Sequence, residues 1–204
     1  KLGEIGIFSK GKGISKAETN PNGVTPCIRY GELYTKYGEQ IYEVFSMTNL
    51  PLEQLVLSET NDVIIPASGE THEDIATASC ILKSGIAIGG DINIIKTSLN
   101  GTFLSFFLNS ALKHQIARIA QGDAVVHLYG EQLKKLYVKF PFLPEQQKIA
   151  ECLSSVDNLI QAEADQLQAL KDHKKGLMQQ LFPQEGETTP TLRSPGFEGE
   201  WEEK

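Results

Sequence analysis

The side chains able to make directional contacts gather in two stretches. The first runs Lys10-Gly11-Lys12-Gly13-Ile14-Ser15-Lys16 and continues to Arg29-Tyr30; the second holds His114, Arg118 and Gln121, with His127 and Tyr129 just beyond. Residues 10–36 contain five basic and two acidic groups, and residues 113–139 repeat that ratio. Lysine acts on phosphate mainly as a point charge, whereas Arg, His, Gln and Tyr offer oriented donors and acceptors suited to base edges. Lys10, Lys12, Lys16, Arg29, Tyr30, His114, Arg118, Gln121, His127 and Tyr129 are the candidate contacts if the partner is a nucleic acid. Lys83 joins them on the strength of its neighbouring turn residue Ser84. The glycines beside the lysines are expected to let that backbone approach DNA closely. Two plainer readings stay open. A glycine-rich basic loop is common on any surface, and His114, Arg118 and Gln121 at i, i+4, i+7 also describe the solvated face of an amphipathic helix.

The pattern lacks the marks of other chemistry. A methyltransferase needs a glycine-rich turn for S-adenosylmethionine and an N/D-P-P-Y/F-type motif; Thr19-Asn20-Pro21-Asn22 lacks the second proline and the aromatic. The acidic groups are too thinly spread for a metal-dependent nuclease. Lys10–Lys16 lacks the G-x-x-x-x-G-K-[ST] spacing of a phosphate loop. Cys27, Cys80 and Cys152 form no C-x-x-C, and His72, His114, His127 and His173 are dispersed. Reduced thiols packed as small apolar groups are expected, with no metal site, no cofactor and no catalysis.

Hydrophobic residues make up 40% of the 204, enough to form a core, and no apolar run is long enough to span a bilayer. The opening residues carry neither a secretory pattern nor an initiator Met, so a cytoplasmic chain cut from something longer is expected. The net charge of −7 is unevenly placed. Residues 1–144 hold thirteen basic against fourteen acidic groups, whereas 145–204 hold six against twelve. The acidity thus belongs to the C-terminal third, which leaves the first part free to meet phosphate.

The elements that must position these residues read as α+β, a mixed α/β domain followed by one long coiled-coil α-helix. Short apolar or alternating runs predict strands at 25–30, 40–45, 62–66, 85–88, 92–95, 125–128 and 135–140. A helix is predicted over 102–120, capped by Asn100 or Ser98 and stopped at Gln121-Gly122. From Pro144 to Phe182 no further proline occurs, and Gly176 is the only glycine. Two heptad lines run through this stretch. Ile149, Val156, Glu163, Leu170 and Leu177 form one, and Leu153, Ile160, Leu167, Lys174 and Leu181 the other. A period of 3.5 predicts a left-handed coiled-coil seam on a helix about 57 Å long. Glu163 and Lys174 interrupt it, either snorkelling or setting register against charges on the facing helix. Such a helix needs a partner. The expected organisation is a head at 1–143, the helix at 144–183, and at 184–204 a linker plus the start of a second repeat unit.

Pro141-Phe142-Leu143-Pro144-Glu145-Gln146-Gln147-Lys148-Ile149-Ala150 resembles the junction between target-recognition domain and spacer helix in type I restriction-modification specificity subunits. So do Lys174-Lys175-Gly176-Leu177-Met178-Gln179-Gln180-Leu181-Phe182-Pro183 and the lead-in Leu192-Arg193-Ser194-Pro195-Gly196-Phe197 through Trp201. Pro26-Cys27-Ile28-Arg29-Tyr30-Gly31-Glu32-Leu33 and Gly89-Gly90-Asp91-Ile92-Asn93 are similar to segments of the recognition domains. The resemblance implies a non-catalytic subunit that reads one half of a bipartite target in double-stranded DNA. It implies modification (methyltransferase) subunits docked alongside and restriction subunits joining the complex. In that family two recognition domains are joined by two long antiparallel helices. This chain holds one of each, so self-association through the helix is expected. The alternative is a coiled-coil oligomerisation or scaffold protein with a protein-binding α/β head.

Overall fold

A computed structural model describes residues 1–122 and 125–202. It divides into two compact units, Lys1–Glu151 and the remainder from Cys152.

The first unit is organised by a five-stranded sheet in the order β1-β9-β5-β7-β3. Its strands are β1 (Gly6–Lys10), β3 (Gln40–Ile41), β5 (Val63–Pro66), β7 (Ser79–Ile81) and β9 (Ile92–Thr97). Alternation along β5 and β9 splits the apolar side chains between two cores. Val63, Ile65 and Ile95 enter one, while Ile64, Ile92 and Ile94 enter the other. Both faces are buried, which is why these strands read as near-continuous apolar runs. A three-stranded sheet, β4 (Ser46–Thr48), β2 (Thr25–Ile28) and β8 (Ala87–Ile88), and a two-stranded ribbon, β6 (Ser68–Gly69) with β10 (Val126–His127), complete the β structure among the described residues.

Several predicted elements are redrawn. The 25–30 strand stops at Ile28, because Tyr30–Leu33 forms a helical turn (α2) whose Glu32 carboxylate accepts the Arg29 backbone N–H at 3.0 Å. The 40–45 run is a strand only at its start, 85–88 only at its end, and 125–128 only at Val126–His127. Residues 135–140 form no strand. Their alternation has no ladder to join, and the Leu136 carbonyl instead accepts Leu2 N–H at 2.8 Å. β1, β4, β6 and β7 fall outside the predicted strands.

The 102–120 helix is two helices, α4 (Gly101–Asn109) and α5 (Lys113–Ile119). Asn100 caps the first, accepting Phe103 N–H at 2.8 Å. The break has a cause in its polar residues. The Asn109 side chain holds both backbone groups of Ala78, at 2.6 and 2.9 Å, and the Ser110 hydroxyl takes the Phe106 carbonyl. Side chains that bond backbone in this way compete with helix propagation. Three further short helices are α1 (Leu2–Ile5), α3 (His72–Ile75) and α6 (Gly130–Leu133).

The long helix, α7, runs Leu143–Leu181. Its first turns belong to the first unit, where Gln146 is 2% exposed. Gln146 accepts Asn100 N–H at 2.9 Å and donates to the Pro141 carbonyl at 2.7 Å. In the second unit the helix continues with an exposed seam, and the tail folds against its end. Leu192 N–H reaches the Gln180 carbonyl, and Trp201 meets Phe182 edge-on at 6.1 Å.

Candidate nucleic-acid interface

Strand register sorts the candidate residues. Lys10 faces Asn93 across β1 and β9, and Asn93 faces Ile65 of β5; Gly6 pairs Thr97 at the other end. The end marked by Lys10 is where most of the candidates converge.

The basic loop after β1 is not free. Gly11 N–H donates to the Ile92 carbonyl, Lys12 N–H to Ile88, and Gly90 N–H to Gly13 at 2.6 Å. A Cβ on Gly11 would overlap the Gly89 carbonyl oxygen, and one on Gly89 would stand 2.8 Å from the Ile28 carbonyl. Gly11 and Gly89 are needed for the two turns to interlock, whereas a Cβ on Gly13 would meet open space. Ile14 follows with φ of 64°, a left-handed conformation that β-branched residues avoid. Its strain is offset by burial beside Cys27 and Ala87. The interlock leaves the Lys10, Lys12 and Lys16 side chains exposed and sets Arg29 on the same seat.

Arg29 is half-buried, its guanidinium 3.5 Å from Glu32, which also binds Lys36 at 3.0 Å and the Ser46 hydroxyl at 2.6 Å. Burial alone would raise the Glu32 carboxyl. The Ser46 hydroxyl, the Arg29 backbone N–H and Lys36 outweigh it and hold the group below its ordinary value. Glu32 is therefore a buried anion that orients two cations, while Tyr30 is exposed next to them.

The second stretch arrives from the other side. Lys10 Nζ lies 5.7 Å from the Tyr129 ring centroid, and Tyr129 stacks on His127 at 6.3 Å. His127 Nδ1 meets the Ser68 hydroxyl at 3.1 Å, and its backbone bridges Gln121. Because the predicted helix is broken and ends at Ile119, Gln121 is not one turn beyond Arg118 on a helical face. It reaches the patch through the bridge to His127. His114 and Arg118 are exposed on α5, whose end is tied to α6 by Gln132 donating to the Ile119 carbonyl. One surface thus carries Lys10, Gln121, His127 and Tyr129, flanked by the Lys12 loop and by α5.

Lys83 stands apart. It follows β7, where Ile81 N–H bonds the Asp62 carbonyl at the opposite end of β5 from Ile65, and its carbonyl accepts the Ser58 hydroxyl. The residues missed in the sequence are Phe8, Asn93 and Lys134, which line a cleft with Lys10 and Tyr129. Asn93 left one signal: a polar residue inside the apolar strand Ile92-Asn93-Ile94-Ile95. Buried Cys27 and Cys80 have thiols pushed up to about 11, chiefly by burial, and are inert packing groups; Cys152 is exposed instead. The described residues contain no group of three His, Cys, Asp or Glu able to hold a metal, and no helix long and apolar enough to cross a membrane.

A family model described as type I restriction modification DNA specificity domain matches residues 1–172. The chain is 26% identical over 131 residues to the type I restriction enzyme MjaVIII specificity subunit of Methanocaldococcus jannaschii, covering 64% of this chain and 30% of that protein. It is 27% identical over 164 residues to a putative type I restriction enzyme specificity subunit, S.HindORF215P, of Haemophilus influenzae, covering 78% and 40%. The chain therefore spans well under half the length of these relatives. Among solved structures, the type I restriction-modification S subunit from M. genitalium superposes with a TM-score of 0.64 at 16% identity, over 89% of this chain and 44% of that one. The HsdS subunit from Thermoanaerobacter tengcongensis gives 0.56, also at 16%, over 79% and 37%. These two likenesses establish the fold, a mixed α/β domain with a long helix.

Proposed function

The chain belongs to the type I restriction-modification DNA specificity family, and from that premise we propose that it is a non-catalytic subunit reading one half of a bipartite target in double-stranded DNA. It directs modification subunits, and through them restriction subunits, to that site. The observation that carries this reading is the convergence of Lys10, Lys12, His127, Tyr129 and Gln121, distant in sequence, on one end of the sheet. Exposed lysines supply the salt-sensitive grip on phosphate, and the imidazole, phenol, amide and the Arg118 guanidinium supply directional contacts. Lys16, Arg29, Tyr30 and His114 extend the same surface. The recognition domain is assigned to 1–143, the spacer helix to 144–183, and the last segment to a linker and the start of a further unit.

The seam of α7 gives the second specific. Ile160 is 61% exposed, Leu170 58% and Leu167 53%. With Ile149, Leu153, Val156, Leu177 and Leu181 they form a line that a second α7 covers, antiparallel in sense, so that two copies present two identical half-site readers. By symmetry such a pair prefers a split palindrome.

The test is to assemble the chain with its modification subunits, select duplexes from a random library, and measure affinity against salt. A split, sequence-specific site whose affinity falls steeply with salt is expected. Absence of any DNA affinity sinks the reading in favour of a protein-binding scaffold.

A further inference from the structure

The cleft between β1, β9 and α6 is built differently from the open surface around it. Its volume is about 280 Å³, at the lower edge of the range for drug-sized ligands, so its occupant is on the scale of one ring system. Two aromatic rings form its walls, each with an ammonium over it: Lys10 Nζ is 5.7 Å from the Tyr129 centroid, and Lys134 Nζ is 5.7 Å from that of Phe8. Lys134 is already paired with Glu131 at 2.6 Å. Lys10 makes no ion pair among the described residues and is the charge left to the cleft.

Asn93 is the floor. It sits directly opposite Lys10 in the antiparallel ladder, so the two side chains share a face of the sheet. Asn93 Nδ2 donates to the Leu128 carbonyl at 3.0 Å, which fixes the amide's orientation. Oδ1 finds no donor among the described residues, although Asn93 is 1% exposed. It is turned toward Gly130, another wall of the cleft, where a Cβ would stand 3.7 Å from it and equally far from Phe8 Cδ1. Buried amide oxygens are rarely left without a donor, so this one calls for a ligand that brings an N–H.

Resting on the DNA-reading function above, we propose that the cleft receives one nucleobase turned out of the duplex, of the class that carries an exocyclic amino group. The amine donates to Asn93 Oδ1, the ring lies against Tyr129, and Lys10 swings off that ring to the phosphate of the same nucleotide. A base left in the stack cannot reach an atom at this depth; a base rotated out of the helix can. Stacking on an aromatic side chain is indifferent to base identity, whereas the buried acceptor rejects a base without the amine.

The experiment uses the chain assembled with its modification subunits and the duplex that this complex selects. Each adenine, cytosine and guanine of the half-site is replaced in turn by purine, pyrimidin-2-one or hypoxanthine, which lack the amine. At one position the native complex should lose about tenfold to hundredfold in affinity. A 2-aminopurine placed beside that position should brighten on binding, as its stacking neighbour leaves. In Asn93→Ala the penalty should shrink to within about twofold. Should that variant fail to fold, the analogue series and the fluorescence on the native protein decide the matter alone. The proposal is overturned if no position shows the penalty, if the penalty persists in Asn93→Ala, or if the 2-aminopurine stays quenched. Any of these, with salt-sensitive DNA affinity intact, removes the base pocket and leaves the reading standing. Loss of all DNA affinity removes both.

Discussion

The same residue types meet opposite fates in the two units. In the first, Ile28, Leu33, Ile64, Ile65, Ile81 and Ile94 are at most 1% exposed, and both faces of β5 and β9 find a core within the chain. In the second, Leu153, Val156, Ile160, Leu167 and Leu170 line one face of a single helix and remain between 40% and 61% exposed. The α/β unit satisfies its own hydrophobic pattern because sheets with period-2 alternation stack onto loops and helices already at hand. A heptad seam cannot be covered by the helix that bears it. The first unit buries its apolar runs within itself, and the second leaves its seam exposed.

The strongest way to break this contrast is to charge the seam. Ile160→Asp with Leu167→Asp should turn a dimer into a monomer at micromolar concentration. At about 1.5–3 kcal/mol per buried side chain, and two such chains from each copy, association weakens by more than about a thousandfold. Sedimentation velocity reads the change, and thermal unfolding of the α/β unit should not move. A double mutant that stays dimeric would place the interface elsewhere.

Within the first unit the largest effect is expected at the interlocked turns. Gly11→Ala sets a Cβ into the Gly89 carbonyl oxygen. A cost of about 3 kcal/mol is expected in chemical denaturation, the top of the range for overpacking, because backbone cannot step aside. If stability is unchanged, the interlock is not what holds the lysine loop.

Glu32→Gln sharpens the comparison through pH. Removing the charge strips Lys36 and Arg29 of their anion and should cost about 2 kcal/mol at neutral pH. Glu32 has a lowered folded pKa, so its contribution is fully present above the unfolded value of about 4.3 and is lost as pH falls through the lower folded value. The stability gap between native protein and variant should therefore close on acidification below about pH 4. A gap that is constant with pH would mean that the carboxylate's charge is not what stabilises α2.

Smaller effects belong to the DNA surface. Lys12→Ala should weaken all sequences alike and reduce the salt slope by about one unit, while Arg118→Ala should relax one base position by about 1 kcal/mol. Equal loss on every duplex for both variants would show that α5 only positions. Lys83→Ala, at the far end of the sheet, should leave affinity within about twofold, the scale of a distant screened charge. A larger loss would extend the DNA surface around the unit.

By itself, the sequence determined whatever depends on neighbours along the chain. The long helix was legible from its heptads, the Asn100 cap from its position before an apolar run, and β5 and β9 from apolar runs between turn residues. It also showed where basic and aromatic residues concentrate. The tertiary structure alone decided what those residues meet. Asn109 broke the predicted helix because Ala78, thirty-one positions away, lay within reach of its amide. The run at 135–140 has the alternation of a strand and none of the pairing, since no neighbouring ladder was open to it. Lys10 came to rest over Tyr129, and opposite Asn93 through strand register, by pairings that join distant segments and leave no local trace. Periodicity and caps are properties of a few consecutive residues. A site is a property of which strands lie side by side.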